Sequence, residues 1–180
     1  MPVDTKTFNS EGGFGVKQTT IISDNYDVRN VNSFELKNVN YSDVKKSEFI
    51  MKALNTAILS KSSTENAYIQ LENNTINFIT ANTIGVDANG NGVYSTKIET
   101  TIKCNSSGDV SSLASLTTII RDAVPEGQSW SVENYDTGNA GEFSFSVEAN
   151  GATGVVKWIS NVQVVSVSWW ELINSSNKFL

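Results

Sequence analysis

At 180 residues the chain has room for one β domain with an appended segment, and too little for two full domains. Only 18% of its residues are charged and 39% are hydrophobic, so Ser, Thr and Asn carry the polarity, as in short strands and turns rather than surface helices. A formal net charge of -6, with no basic spot denser than Lys45-Lys46, argues against nucleic acid as a partner, and the absence of histidine removes the commonest general base and metal ligand.

Residues 1–13 contain Pro2, Gly12 and Gly13 among scattered apolar positions, the pattern of an extended lead-in that becomes ordered against a neighbour. They lack the basic and apolar regions of a signal peptide, and no stretch reaches about 18 uninterrupted apolar residues, so synthesis in the cytoplasm without membrane insertion is expected. Residues 14–38 alternate like strand, with strands expected at 16–23 and 33–37 around a turn-rich SDNYDVRN. This stretch is too thinly apolar to build a core of its own. Residues 1–60 therefore read as a docking arm with short strands, anchored by Phe8, Phe14, Val16, Ile21, Ile22, Phe34 and Leu36. The plainer alternative is that these residues complete the domain's own sheet. In residues 48–60, Ile50, Leu54, Ala57 and Ile58 fit helical spacing, whereas Asn55-Thr56 and the surrounding pattern favour a strand-turn-strand corner.

Residues 61–180 predict an antiparallel β-sandwich or jelly-roll-like barrel, which makes the chain all-β with an extended N-terminal arm. Ala67, Ile69 and Leu71 alternate, Asn73-Asn74 marks a turn, and Ile76 and Phe78 alternate again. In residues 93–104, Tyr94, Ile98, Ile102 and Cys104 share one face and the charged positions the other. Residues 111–123 are balanced between helix, from Leu113, Leu116 and Ile120, and strand, from the β-branched run 117–120. Later strands place Trp130 and Val132, then Phe143, Phe145 and Val147, then Val165, Val167 and Trp169 on single faces.

The chemistry on offer is sparse. Asp122, Glu126, Asp136 and Glu142 are acids of the type that could face one another in glycoside hydrolysis, but all lie in or beside turns, where acids are ordinarily solvated. Asp87, Asn89, Asn91 and Gly92 match the front of a calcium loop, yet its twelfth place is the apolar Ile98, so a plain hairpin turn is expected and no metal or other cofactor. Cys104 reads as a buried structural thiol. Adjacent Trp169 and Trp170 would point to opposite faces of a strand, which suits an interface anchor or, as an alternative, a sugar-stacking platform near Asp136 and Asn150.

Two blocks carry a resemblance. Phe14, Val16 and Thr19-Thr20-Ile21-Ile22, followed by Asp27, Arg29-Asn30 and Asn32-Ser33-Phe34, form one; Val155-Val156-Lys157-Trp158-Ile159-Ser160 with Val164-Val165-Ser166-Val167-Ser168-Trp169 form the other. Both resemble patterns in tailed-bacteriophage fibre and other virion structural proteins, particularly of marine cyanophages. The resemblance implies a non-enzymatic virion component, such as a tail fibre, adaptor or capsid decoration, commonly a trimer. It would meet other virion proteins through its N-terminal segment and display its β domain outward. It transfers no catalytic residue. The alternative is a host-glycan-binding module of the receptor-binding apparatus.

Overall fold

The computed structural model describes residues 14–16, 19–22, 33–38 and 41–169, with side chains described for 33–37 and 43–169. The chain divides into two compact units, Met1–Asn32 and Ser33–Leu180. In the first, strands β1 (Phe14–Val16) and β2 (Thr19–Ile22) pair antiparallel with Val16 opposite Thr19, where the sequence predicts one strand.

The second unit is a two-sheet antiparallel sandwich, as expected from the short, turn-punctuated strands. The large sheet has six strands in the order β3 (Ser33–Asn38), β4 (Tyr41–Leu54), β12 (Val156–Ser168), β7 (Thr75–Asp87), β8 (Val93–Cys104) and β9 (Val110–Ala123). Across the core, β11 (Glu142–Asn150) pairs with β10 (Ser129–Asp136) on one side and with the short β5 (Ala57–Ile58) and β6 (Ile69–Gln70) on the other. The boundary expected at residue 60 cuts through this sandwich, because β4 and β5 each belong to one of its sheets. The corner between them is the strand-turn-strand expected at Asn55. That residue adopts φ 57°, donates its N–H to the Val156 carbonyl at 2.7 Å and accepts the Val156 N–H on its side chain at 3.0 Å. The stretch balanced between helix and strand is the edge strand β9.

The core forms where the inward faces of both sheets are largest. On β8 the inward residues include Tyr94, Ile98, Ile102 and Cys104, and the small sheet contributes Trp130, Val132, Phe143, Phe145 and Val147, all as the alternation predicts. Two strands turn the other way. β7 buries Thr75, Asn77, Ile79, Ala81, Thr83 and Gly85, leaving Phe78 exposed. β12 buries Trp158, Ser160, Val162, Val164 and Ser166, leaving Val167 exposed. Ile76 with Phe78, and Val165 with Val167, do each share a face as the alternation predicts, and that face is the outer one.

The reason is shape. The register lines up Ala53, Trp158, Gly85 and Tyr94 across four strands, and a β-carbon at Gly85 would overlap the Trp158 ring. Trp158 lies in that gap in edge-to-face contact with Trp130 (centroids 5.7 Å) and Tyr94 (6.2 Å). Its indole N–H meets no acceptor among the described residues, so packing rather than a hydrogen bond holds the ring. Two buried polar links fix the same phase: Thr83 to Ser160 at 2.8 Å, and Ser166 donating to the Asn77 amide oxygen at 2.6 Å. Gly85→Ala is expected to destabilise the fold by about 2–3 kcal/mol in chemical denaturation, with part of the loss recovered when Trp158→Phe is added to make room.

Candidate interaction surface

The reversed strands leave the outer face of the large sheet unusually apolar. Ile84 (54% exposed) lies directly beside Ile159, and Phe78 (47% exposed) beside Val165, while Ile50 and Leu54 project from β4 on the same side. Phe34 and Leu36, two of the expected anchors, are half exposed on β3 opposite Glu48 and Lys46 and so extend this face to the sheet edge. Some of its charges are paired within the face: Lys46 meets Glu48 at 3.0 Å and Lys97 meets Glu99 at 2.9 Å, and Gln163 also donates to Glu48 at 3.0 Å. The hydrogen bonds from Lys46 and Gln163, with the nearby ammonium, hold the Glu48 carboxyl below its ordinary range. A broad apolar surface laced with satisfied ion pairs is the composition of an interface.

Of the other expected anchors, Phe14, Val16, Ile21 and Ile22 fall on β1 and β2 with their side chains outside the described residues, and Phe8 lies outside them altogether. Trp170 also lies outside. Trp169 follows β12 directly, donates its N–H to the Asn74 carbonyl at 3.1 Å, and has the Lys103 ammonium 5.5 Å from its ring centroid. That cation occupies a ring face a sugar would need. The two turns proposed to flank the platform lie at opposite ends of the β10–β11 hairpin, Asp136 opposite Phe143 and Asn150 opposite Ser129. The tryptophan and both turns therefore do not converge on one site.

Of the candidate acids, two serve turns and two are simply exposed. Asp136 accepts the Gly138 N–H at 2.9 Å, and Glu142 accepts from Asn139 at 2.9 Å and Thr137 at 3.2 Å; Asp122 and Glu126 are exposed. Cys104 is fully buried, and its thiol is pushed up first by burial and then by the charge of Asp109. Among the described residues no group of three potential ligands is placed to hold a metal ion, and no helix is long and apolar enough to cross a membrane. One open hollow, of about 510 Å³, is lined by Lys52, Leu54, Ser62, Ser63, Lys157 and Ile159 on the outer face.

The would-be calcium loop is a turn closed by its own acid. Asp87 accepts the N–H groups of Asn89, Asn91 and Gly92, each at 3.0 Å. Desolvation alone would raise this carboxyl; the amides of Gly92, Asn91, Asn89 and Gly90 together outweigh it and hold the group below its ordinary range.

No family model matches the sequence, and no curated protein matches it. Among solved structures the chain is similar to gp49, a tailspike protein of the Acinetobacter baumannii bacteriophage Fri1 and a capsular polysaccharide depolymerase. Sequence identity is 12% and the TM-score 0.44, over 79% of this chain and 21% of that one. This chain thus spans about a fifth of the tailspike's length, and a likeness so slight carries no functional argument.

A carboxylate whose folded pKa is depressed contributes stability that is complete above its unfolded pKa and disappears as pH falls through the folded one. Asp87→Asn is therefore expected to lower the melting temperature at neutral pH, with the gap from the parent protein closing as the solution is acidified through the folded pKa of Asp87. A gap that stays constant with pH would show that the carboxylate charge does not stabilise the turn.

Proposed function

We propose that this protein is a non-enzymatic structural subunit of a tailed-phage virion, an oligomeric fibre, adaptor or decoration component whose first unit docks on other virion proteins and whose sandwich is displayed. The observation that supports this reading most is the apolar outer face of the large sheet. β7 presents Phe78 and Ile84 to solvent while burying Thr and Gly, an arrangement that makes sense in a protein whose surface is covered after folding. The class of assembly comes from the sequence resemblance at residues 14–34 and 155–169. An extended segment can add main-chain hydrogen bonds to a neighbour's sheet edge, and repetition around a symmetric particle multiplies weak contacts. The four acids are better explained as turn and surface residues than as catalysts.

A second reading, recognition of an acidic host glycan, is supported by the hollow between Lys52 and Lys157, where two ammonium groups and the hydroxyl-bearing Ser62 and Ser63 border the apolar Leu54 and Ile159. One experiment addresses both readings. Removing residues 1–32 is expected to leave the β-rich circular-dichroism spectrum of the sandwich intact and to abolish incorporation into particles in a complementation assay. Undiminished incorporation of the truncated protein would place docking elsewhere. Capture of acidic glycans by the truncated protein, lost in Lys52→Ala/Lys157→Ala, would favour the second reading.

A further inference from the structure

The strand β9 is an anomaly in this sandwich. It closes the large sheet on the side away from β3, and among the described residues its only ladder partner is β8. Residues 111–122 are exposed without alternation, and four apolar side chains, Leu113, Leu116, Ile119 and Ile120, are 55% to 68% exposed. From Val110 to Ile120 the strand carries no charge and no proline, although the chain as a whole carries a net charge of -6. Edges in soluble proteins are normally blunted by charged side chains, proline, β-bulges or shortness. This one is long and, but for two bulges and the Arg121-Asp122 pair at its end, has no such device.

We infer that the edge of β9 is an isologous contact, paired antiparallel with the β9 of a second copy about a two-fold axis through Leu116. The inference does not depend on the virion reading, and it follows from the layout of the strand. A two-fold axis perpendicular to a sheet keeps each residue on its own face, so paired residues must share a face. Two irregularities constrain the choice of centre. The ladder with β8 slips between Ser95 and Thr96 and again between Thr101 and Ile102, leaving Ile120 and Leu113 as the extra residues on β9. Between them, Ala114, Leu116 and Thr118 share the outer face and Ser115, Thr117 and Ile119 the inner one.

A centre at Leu116 satisfies every face at once. Ala114 then opposes Thr118, Ser115 opposes Thr117, Ser111 opposes Arg121, and Val110 opposes Asp122, each pair on a common face. The pair Ser112-Leu113 of one copy meets Ile119-Ile120 of the other, so the irregular steps coincide instead of colliding. Leu116 meets its own image on the axis, and Leu113 packs against Ile119 twice. No like charges are opposed, which is what allows two anionic chains to approach along this edge. A centre at Ser115 sets Ser112 against Thr118 and Ser111 against Ile119, inner face against outer; a centre at Thr117 keeps the regular pairs on common faces but sets Leu113 against Arg121 and loses the Leu116 self-contact. The outer apolar faces of the two copies become one continuous sheet surface. The copy number through this contact is even, where the resemblance implies three; six copies carrying both symmetries accommodate both.

Sedimentation velocity of the full chain over a concentration series, together with cysteine cross-linking, tests the contact. The wild-type chain is expected to show a concentration-dependent dimer. Leu116→Glu, on an exposed site, is expected to keep the wild-type circular-dichroism spectrum and melting temperature while raising the dissociation constant roughly a hundredfold or more. Leu116→Cys is expected to form a 116–116 disulfide on mild oxidation, whereas Ile84→Cys, away from the axis, is not; the native Cys104 is buried and does not compete. A chain that stays monomeric at every concentration overturns the inference. So does an oligomer indifferent to Leu116→Glu, or one sensitive to it in which Leu116→Cys fails to cross-link, since the latter would be a different register or symmetry.

Discussion

The seat of Trp158 on Gly85 is the constraint from which the rest of this sandwich follows. Side chains on a strand alternate between two faces, so a single choice of which face holds one residue decides the orientation of the whole strand. The indole can enter the core only where its neighbour lacks a β-carbon, and Gly85 supplies that place. β7 and β12 are thereby committed together, and the Thr83–Ser160 and Asn77–Ser166 hydrogen bonds reinforce the same phase. The consequence is that β7 buries its smaller, more polar side and presents Phe78 and Ile84 outward.

An outward face of this kind has a thermodynamic cost in an isolated subunit, because apolar area left in water forgoes roughly 25 cal/mol for each Å². The ion pairs Lys46–Glu48 and Lys97–Glu99 keep it soluble without making it polar throughout. A partner that covers it recovers the apolar term without stranding Glu48 or Glu99, since each of these acids already has a base within 3.0 Å. The N-terminal strands β1 and β2 and the edge β9 offer main-chain pairing in addition, and strand addition is the mode by which extended segments gain both affinity and register.

How much of this could be read from the residues depended on whether one face of a strand was clearly larger than the other. β8, β10 and β11 carry their big side chains on one side only, and the sequence places Tyr94, Ile98, Ile102, Trp130, Phe143 and Phe145 in the core correctly. β7 and β12 are apolar on both sides, so size alone points Phe78 and Val167 inward, and only the pairing of Gly85 with Trp158, long-range in sequence, reverses them. β9 mimicked a helix because its two irregular steps each insert a residue, converting a period of two into the three- and four-residue spacing of Leu113, Leu116 and Ile120. Phe34 and Leu36, singled out in the sequence, are half exposed, whereas the exposure of Phe78, Ile84 and Ile159 was missed. The signal that could have found them is a strand with large apolar residues on both faces in a protein with only one core.

The central claim is that this outer face and the β9 edge are occupied in the assembled state. Hydroxyl-radical footprinting of the isolated chain and of the native assembly, read residue by residue by mass spectrometry, addresses it directly. The account predicts that Phe78, Ile84, Leu116 and Ile159 are reactive in the isolated chain at low concentration and protected in the assembly. Equal reactivity of these residues in both states, with protection falling on the β10–β11 side of the sandwich instead, would contradict it.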